Sequence, residues 1–82
     1  MGADLCQTNC MQASFFMADL TKADFSEANL QRAELRRAIM HGTCLVAADL
    51  RHADLRGAGW DGARVKFAKL TGAIMPDGRV HW

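Results

Sequence analysis

His41, Asp61 and His81 recur at intervals of twenty residues, and three thiols lie at Cys6, Cys10 and Cys44. Imidazole, carboxylate and thiolate are the ligands zinc prefers, and the same groups serve as general bases and nucleophiles; Ser14 and Ser26 add hydroxyls that would need such a base beside them. That chemistry requires convergence, either of three or four ligand atoms at about 2 Å from one ion or of a base at about 3 Å from a nucleophile. The thiols are odd in number and none stands in a CxxC spacing, so they indicate neither a disulfide framework nor a short-range zinc site. Whether the remaining groups meet depends on the elements that carry them.

Those elements have a period of five. In the stretch ADFSEANLQRAEL, residues 23–35, Ala23, Ala28 and Ala33 are each followed two positions later by Phe25, Leu30 and Leu35. A helical face recurs at intervals of three and four and a strand face at two, so neither regular element produces this pattern. Positions 5, 10, 15 and onward to 80 hold sixteen apolar residues: eight Leu, two each of Phe, Met and Val, and Cys10 and Trp60. Two positions before each of these stand thirteen alanines, Thr8, Thr43 and Gly78. All nineteen Asp, Glu, Lys and Arg residues fall in the other three slots, so polarity keeps phase with the period. Such regularity marks an internal repeat.

The 82 residues read as one domain, 1–82, and a chain this short has difficulty burying enough surface around one compact core. A stacked repeat escapes that limit, because each unit is stabilised by its neighbours. The net charge of +1 gives no general attraction to nucleic acid or anionic membrane, and no run approaches the roughly 18 apolar residues of a spanning helix. The first residues lack the basic start and apolar run of a secretion signal, and a cytoplasmic location is the expectation.

A chain that turns inward at every fifth residue must bend after each short extended piece, and four pieces close a square coil of twenty residues. Sixteen pentapeptides predict four coils, stacked at about the 4.8 Å spacing of neighbouring strands. The alanine slot faces a tight interior where a bulkier side chain would overpack. Four interior columns follow: Leu5, Phe25, Leu45, Val65; Cys10, Leu30, Leu50, Leu70; Phe15, Leu35, Leu55, Met75; and Leu20, Met40, Trp60, Val80. Each large member contributes about 1.5–3 kcal/mol of burial. Gly42, Gly57, Gly62 and Gly72 share the last slot, where a positive φ at a corner is easiest for glycine. Trp60, large and carrying an N–H that needs a partner, is expected to distort its corner or reach toward solvent.

The pentapeptides ADLTK, ADFSE, ANLQR, ADLRH and ADLRG resemble the motif of the pentapeptide-repeat family: Ala, then Asp or Asn, then Leu or Phe, then two variable polar residues. The resemblance covers residues 3–80 and implies an all-β fold, a right-handed quadrilateral β-helix. The closing GAIMPDGRVHW is similar to the ends of many cyanobacterial members. Ile39, Cys44, Gly59, Arg64, Lys69, Ile74 and Arg79 depart from the Asp/Asn slot, which predicts less regular later coils.

This geometry separates the reactive groups. His41, Asp61 and His81 share one outward column, with the two imidazoles roughly 10 Å apart, too far for one ion; the column reads as a solvated ladder. Cys6 and Cys44 lie on one face two coils apart, beyond the ~7 Å Cα limit of a disulfide, and Cys10 points inward as an inert thiol. No histidine stands beside an outward cysteine and neither serine has a base. The expectation is a protein with no catalytic, cofactor or metal site. Arg32, Arg36, Arg37, Arg51 and Arg56 cluster on the second and third faces as a possible basic patch. Glu34, Asp49 and Asp54 are interleaved with them and no outward aromatic row accompanies them, which favours a mixed solvated surface over a nucleic-acid site. Met11, Phe16 and Met17 with Cys6 in the first coil, and Val46, Ala47 and Phe67 on the first face, are outward apolar groups of the kind that mark an interface.

The expected function is therefore that of a non-enzymatic structural or protein-interaction solenoid. Its partner would be another protein, or a second copy meeting it at the first-coil end, or an upstream continuation of a longer chain. Met11, Phe16 and Met17 would extend the contact around the rim, while Pro76 and Trp82 would close the other end. The resemblance also supplies an alternative, a DNA mimic that binds DNA gyrase and confers quinolone resistance. Mimicry of that kind needs a strongly negative surface, and a balance of +1 over four coils does not provide one.

Overall fold

The computed structural model describes residues 2–81, and the backbone among them is a succession of one-residue β-bridges and two-residue turns with no helix. The bridges join each Asp/Asn-slot residue to the one twenty positions later. Four connect coil 1 (3–22) to coil 2 (23–42), four connect coil 2 to coil 3 (43–62), and three connect coil 3 to coil 4 (63–81). All eleven are parallel, as a solenoid that always winds the same way requires.

One side of one coil shows how the five-residue unit is held. The Leu30 N–H donates to the Asp49 carbonyl at 2.7 Å, the Asp49 N–H donates back to the Ala28 carbonyl at 2.9 Å, and the Arg32 N–H reaches the Arg51 carbonyl at 3.0 Å. Within the coil, the Ala33 N–H closes the corner on the Leu30 carbonyl at 3.0 Å. That i to i+3 bond, with a positive φ at the third residue, is the pattern of a type II turn. Glycine was expected to be favoured in that slot, yet ten non-glycine residues also adopt φ near +60° there, from Gln7 to Phe67. The left-handed region costs an L-residue roughly 1–2 kcal/mol. The inter-coil bond that the same N–H makes at nine of the ten, all but Phe67, and the burial on either side of the corner must outweigh that cost.

The Asp/Asn slot has its own physical reason. Its side-chain oxygen accepts from the backbone N–H two residues on: Asp4 from Cys6, Asn9 from Met11, Asp24 from Ser26, Asn29 from Gln31, Asp54 from Arg56. This Asx bond satisfies the one corner N–H that the coil ladder does not use. The two threonines that replace alanine are also explained. The Thr43 hydroxyl, fully buried, donates to the Leu20 carbonyl at 2.8 Å, and the Thr8 hydroxyl to the Leu5 carbonyl at 2.6 Å.

The interior columns follow the register, but burial is graded along the axis. Phe25, Leu30, Leu35, Met40, Leu45, Leu50 and Leu55 are fully buried, whereas Leu5, Cys10 and Phe15 below them and Val65, Leu70 and Met75 above are only partly covered. Phe15 meets Phe25 edge-on with centroids 5.6 Å apart. Trp60 is half-buried against the core, between an inside and a displaced position.

The fourth side of coil 4 does not form, which corrects the expectation of four complete coils. After Met75 the segment Pro76–Asp77–Gly78 reverses the chain, and Val80 bridges Ile74 antiparallel. Proline at the second position of a type I turn followed by aspartate and a glycine at φ +87° gives the three-residue hairpin loop with a bulge. The Asp77 carboxylate accepts from the Arg79 N–H at 3.0 Å and steadies it. The returning strand takes the place of a fifth coil on the third side. Arg79 C=O accepts from Met75 N–H at 2.7 Å, Ala73 C=O accepts from His81 N–H at 2.8 Å, and His81 C=O accepts from Gly72 N–H at 2.6 Å. Ala73 is thereby fully buried at the end of the stack. Val80 is consequently 42% exposed and does not belong to the fourth interior column. The coils up to Ile74 keep full regularity despite the departures in the Asp/Asn slot. The proposed capping role of Trp82 lies outside the described residues.

Candidate protein-docking surface

The groups that could have carried chemistry stay apart. The final hairpin draws His81 out of the His41–Asp61 column and pairs it with Gly72 and Ala73, so the ladder has two rungs rather than three. The His41 ring lies over Gly59, where a Cβ would come within 2.9 Å of Nε2. Cys6, Cys10 and Cys44 are free thiols; Cys6 Sγ lies 3.3 Å from Ser26 Oγ, whose proton goes to Asp24, and Cys10 Sγ lies 3.2 Å from Thr8 Oγ1. Cys10, expected inside, is half-buried because no coil lies beneath it among the described residues. No group of three His, Cys, Asp or Glu residues is placed to hold a metal among the described residues, and no helix there is long and apolar enough to cross a membrane.

Besides Ile39 on the fourth side and Val80 on the hairpin, the exposed large apolar residues among those described divide among three corner columns. Met11, 46% exposed, sits on the second corner with Arg32 and Arg51 above it. Phe16 and Met17, 47% and 61% exposed, sit on the third, below Arg36, Arg37 and Arg56. Phe67, at 75%, stands on the first. Val46, expected to be outward with Phe67, is only half-exposed, and Phe67 instead carries the Lys66 ammonium 5.2 Å from its ring centroid. The apolar group and the basic patch, two separate readings in the sequence, thus share the second and third corners.

The arginines are held by the carboxylates interleaved with them. Arg51 makes two bonds to Asp49, at 2.9 and 2.7 Å, and Arg56 grips Asp54 in the same way. Arg36 donates to Glu34 at 2.6 Å and lies 4.0 Å from Asp54. The guanidinium bond from Arg51 is the main cause that holds the Asp49 carboxyl below the usual carboxylate range, and that from Arg56 does the same for Asp54. Asp19 and Asp24 are lowered chiefly by the hydroxyls of Thr21 and Ser26. The arginine ends of these pairs are exposed to solvent, so the pairs order side chains more than they stabilise the fold. The Arg36 guanidinium also stacks 5.1 Å from the Phe16 centroid. Phe16, Arg36, Arg37, Arg56 and Gly57 enclose an open cleft of about 290 Å³ on the third corner. A second cleft, about 420 Å³, lies where the fourth side is missing, between Trp60 and the hairpin residues Met75, Pro76 and Val80.

These elements make a square β-solenoid whose outer columns present apolar and charged side chains at fixed spacing. The chain belongs to the pentapeptide repeat family: the model of pentapeptide repeats matches residues 1–31, 18–57 and 48–77, in eight copies. Members of this non-enzymatic solenoid family fold as right-handed quadrilateral β-helices. The chain is similar to alr5209, a pentapeptide repeat protein from Nostoc PCC 7120, with 31% identity and a TM-score of 0.62 over 89% of this chain and 64% of that one. It is 35% identical to HetL, a pentapeptide repeat protein involved in heterocyst differentiation regulation in Nostoc sp. strain PCC 7120, over 95% of this chain and 43% of that one, with a TM-score of 0.39. The chain thus spans less than two thirds of the length of either solved relative. No curated protein matches it.

Proposed function

We propose that the chain is a non-catalytic protein-docking solenoid that meets its partner, a second copy of itself, through the end of coil 1. The observation that carries this reading is the rim of that coil, where Met11, Phe16 and Met17 are 46–61% exposed around the partly covered Leu5, Cys10 and Phe15. In coils 2 and 3 the Asp/Asn-slot residue pairs with the coil below, as Asn29 does by donating to the Thr8 carbonyl and accepting from the Cys10 N–H. On coil 1 the lower edge of the backbone, including Asp4, Asn9 and Ser14, is unpaired among the described residues, and an unpaired edge is a template for another chain. At the opposite end the hairpin has already taken the third side. Three free thiols suit a reducing compartment such as the cytoplasm. The gyrase-binding alternative gains no support, because the largest charged cluster is basic and a duplex mimic must be negative.

Light scattering across the micromolar range tests the reading. A mass of about twice the 9.0 kDa chain is expected, and Phe16→Glu with Met17→Lys should lower it toward one copy. A wild type that stays monomeric throughout would reject association at this end.

A further inference from the structure

We infer that the third corner is a recognition site for a carboxylate that neighbours an apolar side chain, that is, for an acidic–apolar segment of a protein partner. The inference rests on the reading of the chain as a protein-docking solenoid and adds the chemistry of what docks.

The cleft combines three features. Its coil-1 side is apolar, made by the Phe16 ring. Its walls are guanidinium groups in fixed places: Arg36 is held by Glu34 and stacked on Phe16, Arg56 is locked bidentately on Asp54, and the stem of Arg37 lies along Gly57, where a Cβ would come within 3.4 Å of its Cγ. Among the described residues Arg37 has no carboxylate within 4 Å, so its five N–H donors are uncommitted; Arg56 spends only its Nε and Nη2 on Asp54. The third feature is charge. Arg36, Arg37 and Arg56 against Glu34 and Asp54 leave the corner at +1, which one carboxylate neutralises and a phosphate dianion would exceed. Arg56, already fixed by Asp54, loses little freedom in offering its remaining donors, Arg37 brings an uncommitted planar fork, and such a fork suits a carboxylate. With a single aromatic and no outward aromatic row, the corner has no platform for successive bases, which disfavours a nucleic-acid strand.

The test is an NMR titration of isotope-labelled protein with a capped Leu-Asp-Phe tripeptide, its Leu-Asn-Phe isostere, inorganic phosphate and a single-stranded oligonucleotide. The inference expects the Asp peptide to shift the amide signals of Phe16, Arg37 and Gly57, with binding weakened about tenfold for the Asn isostere and for Arg37→Gln protein, the equivalent of one charge-assisted bond. Equal binding of the two peptides, no shifts at this corner, or tighter binding of phosphate or oligonucleotide there would each overturn it. Light scattering of the same samples separates the two readings, because Phe16 belongs to both contacts and Arg37 to the cleft alone. Arg37→Gln should leave the mass of the wild type unchanged, so loss of peptide binding without loss of association isolates the recognition site from the coil-end contact.

Discussion

Leu50 and Leu70 occupy the same interior column and the same slot of the repeat, and the structure separates them. Leu50 is fully buried in coil 3, with Leu30 below and Leu70 above, while Leu70 closes the column in the incomplete coil 4 and is only partly covered. Truncation of Leu50 to alanine removes its transfer energy and leaves a cavity that coils on both sides cannot fill, at a cost of about 3 kcal/mol or more. For a domain of this size that lowers the melting temperature by roughly 12–24 °C. The column through Leu70 is open on one face, so Leu70→Ala relaxes more fully and exposes less new surface; about half the loss is expected. Arg32→Ala, at an exposed corner with the same left-handed backbone, should stay within about 0.5 kcal/mol. Thermal melts followed by circular dichroism, backed by urea titration, measure all three. Equal losses for Leu50→Ala and Leu70→Ala would refute the gradient of burial, and an Arg32→Ala loss as large as that of Leu50→Ala would refute the register itself.

Gly72→Ala should be more damaging than Gly78→Ala in the same melts: both glycines have positive φ, costing an alanine about 1–2 kcal/mol, but a Cβ at Gly72 would also strike the His52 ring while Gly78 faces open space. A second substitution, His52→Ala, should recover part of the Gly72→Ala loss and none of the Gly78→Ala loss. Thr43→Val is expected to cost about 0.5–1.5 kcal/mol, because the hydroxyl bond to Leu20 is lost while the Leu20 carbonyl keeps its bond from Ala23 N–H; hydrogen exchange at Ala23 should stay slow. The carboxyls of Asp19, Asp24, Asp49 and Asp54 all have folded values below 3.8, so their contribution is complete above the unfolded value and lost as pH falls through the lower folded one. Melting temperature should therefore decline below about pH 4. Asp24→Asn, which keeps an oxygen for the Ser26 N–H, should make that decline shallower, and an unchanged acid limb would contradict the assignment.

The five-residue phase of Ala and Leu was enough to specify a square coil, its interior columns and the outward position of every charge, because each unit repeats the same local problem and nearest neighbours solve it the same way. The slot after alanine was visible as Asp or Asn, but its reason, an Asx bond to the corner N–H, required the turn geometry to be in view. Local phase could not say where the winding stops. Val80 continues the apolar register, yet Pro76–Asp77–Gly78 is a hairpin loop, and its three backbone bonds to the edge of coil 4 prevailed over burial of one valine at a stack end with no coil above to complete it. For the same reason the His41 column lost its third member. The third-corner cleft was equally illegible: Phe16, Arg36 and Arg56 are twenty residues apart in sequence, and only the stacking of coils, with the rotamers that set Arg36 on Phe16 and Arg56 on Asp54, turns an apolar residue and separate arginines into one surface.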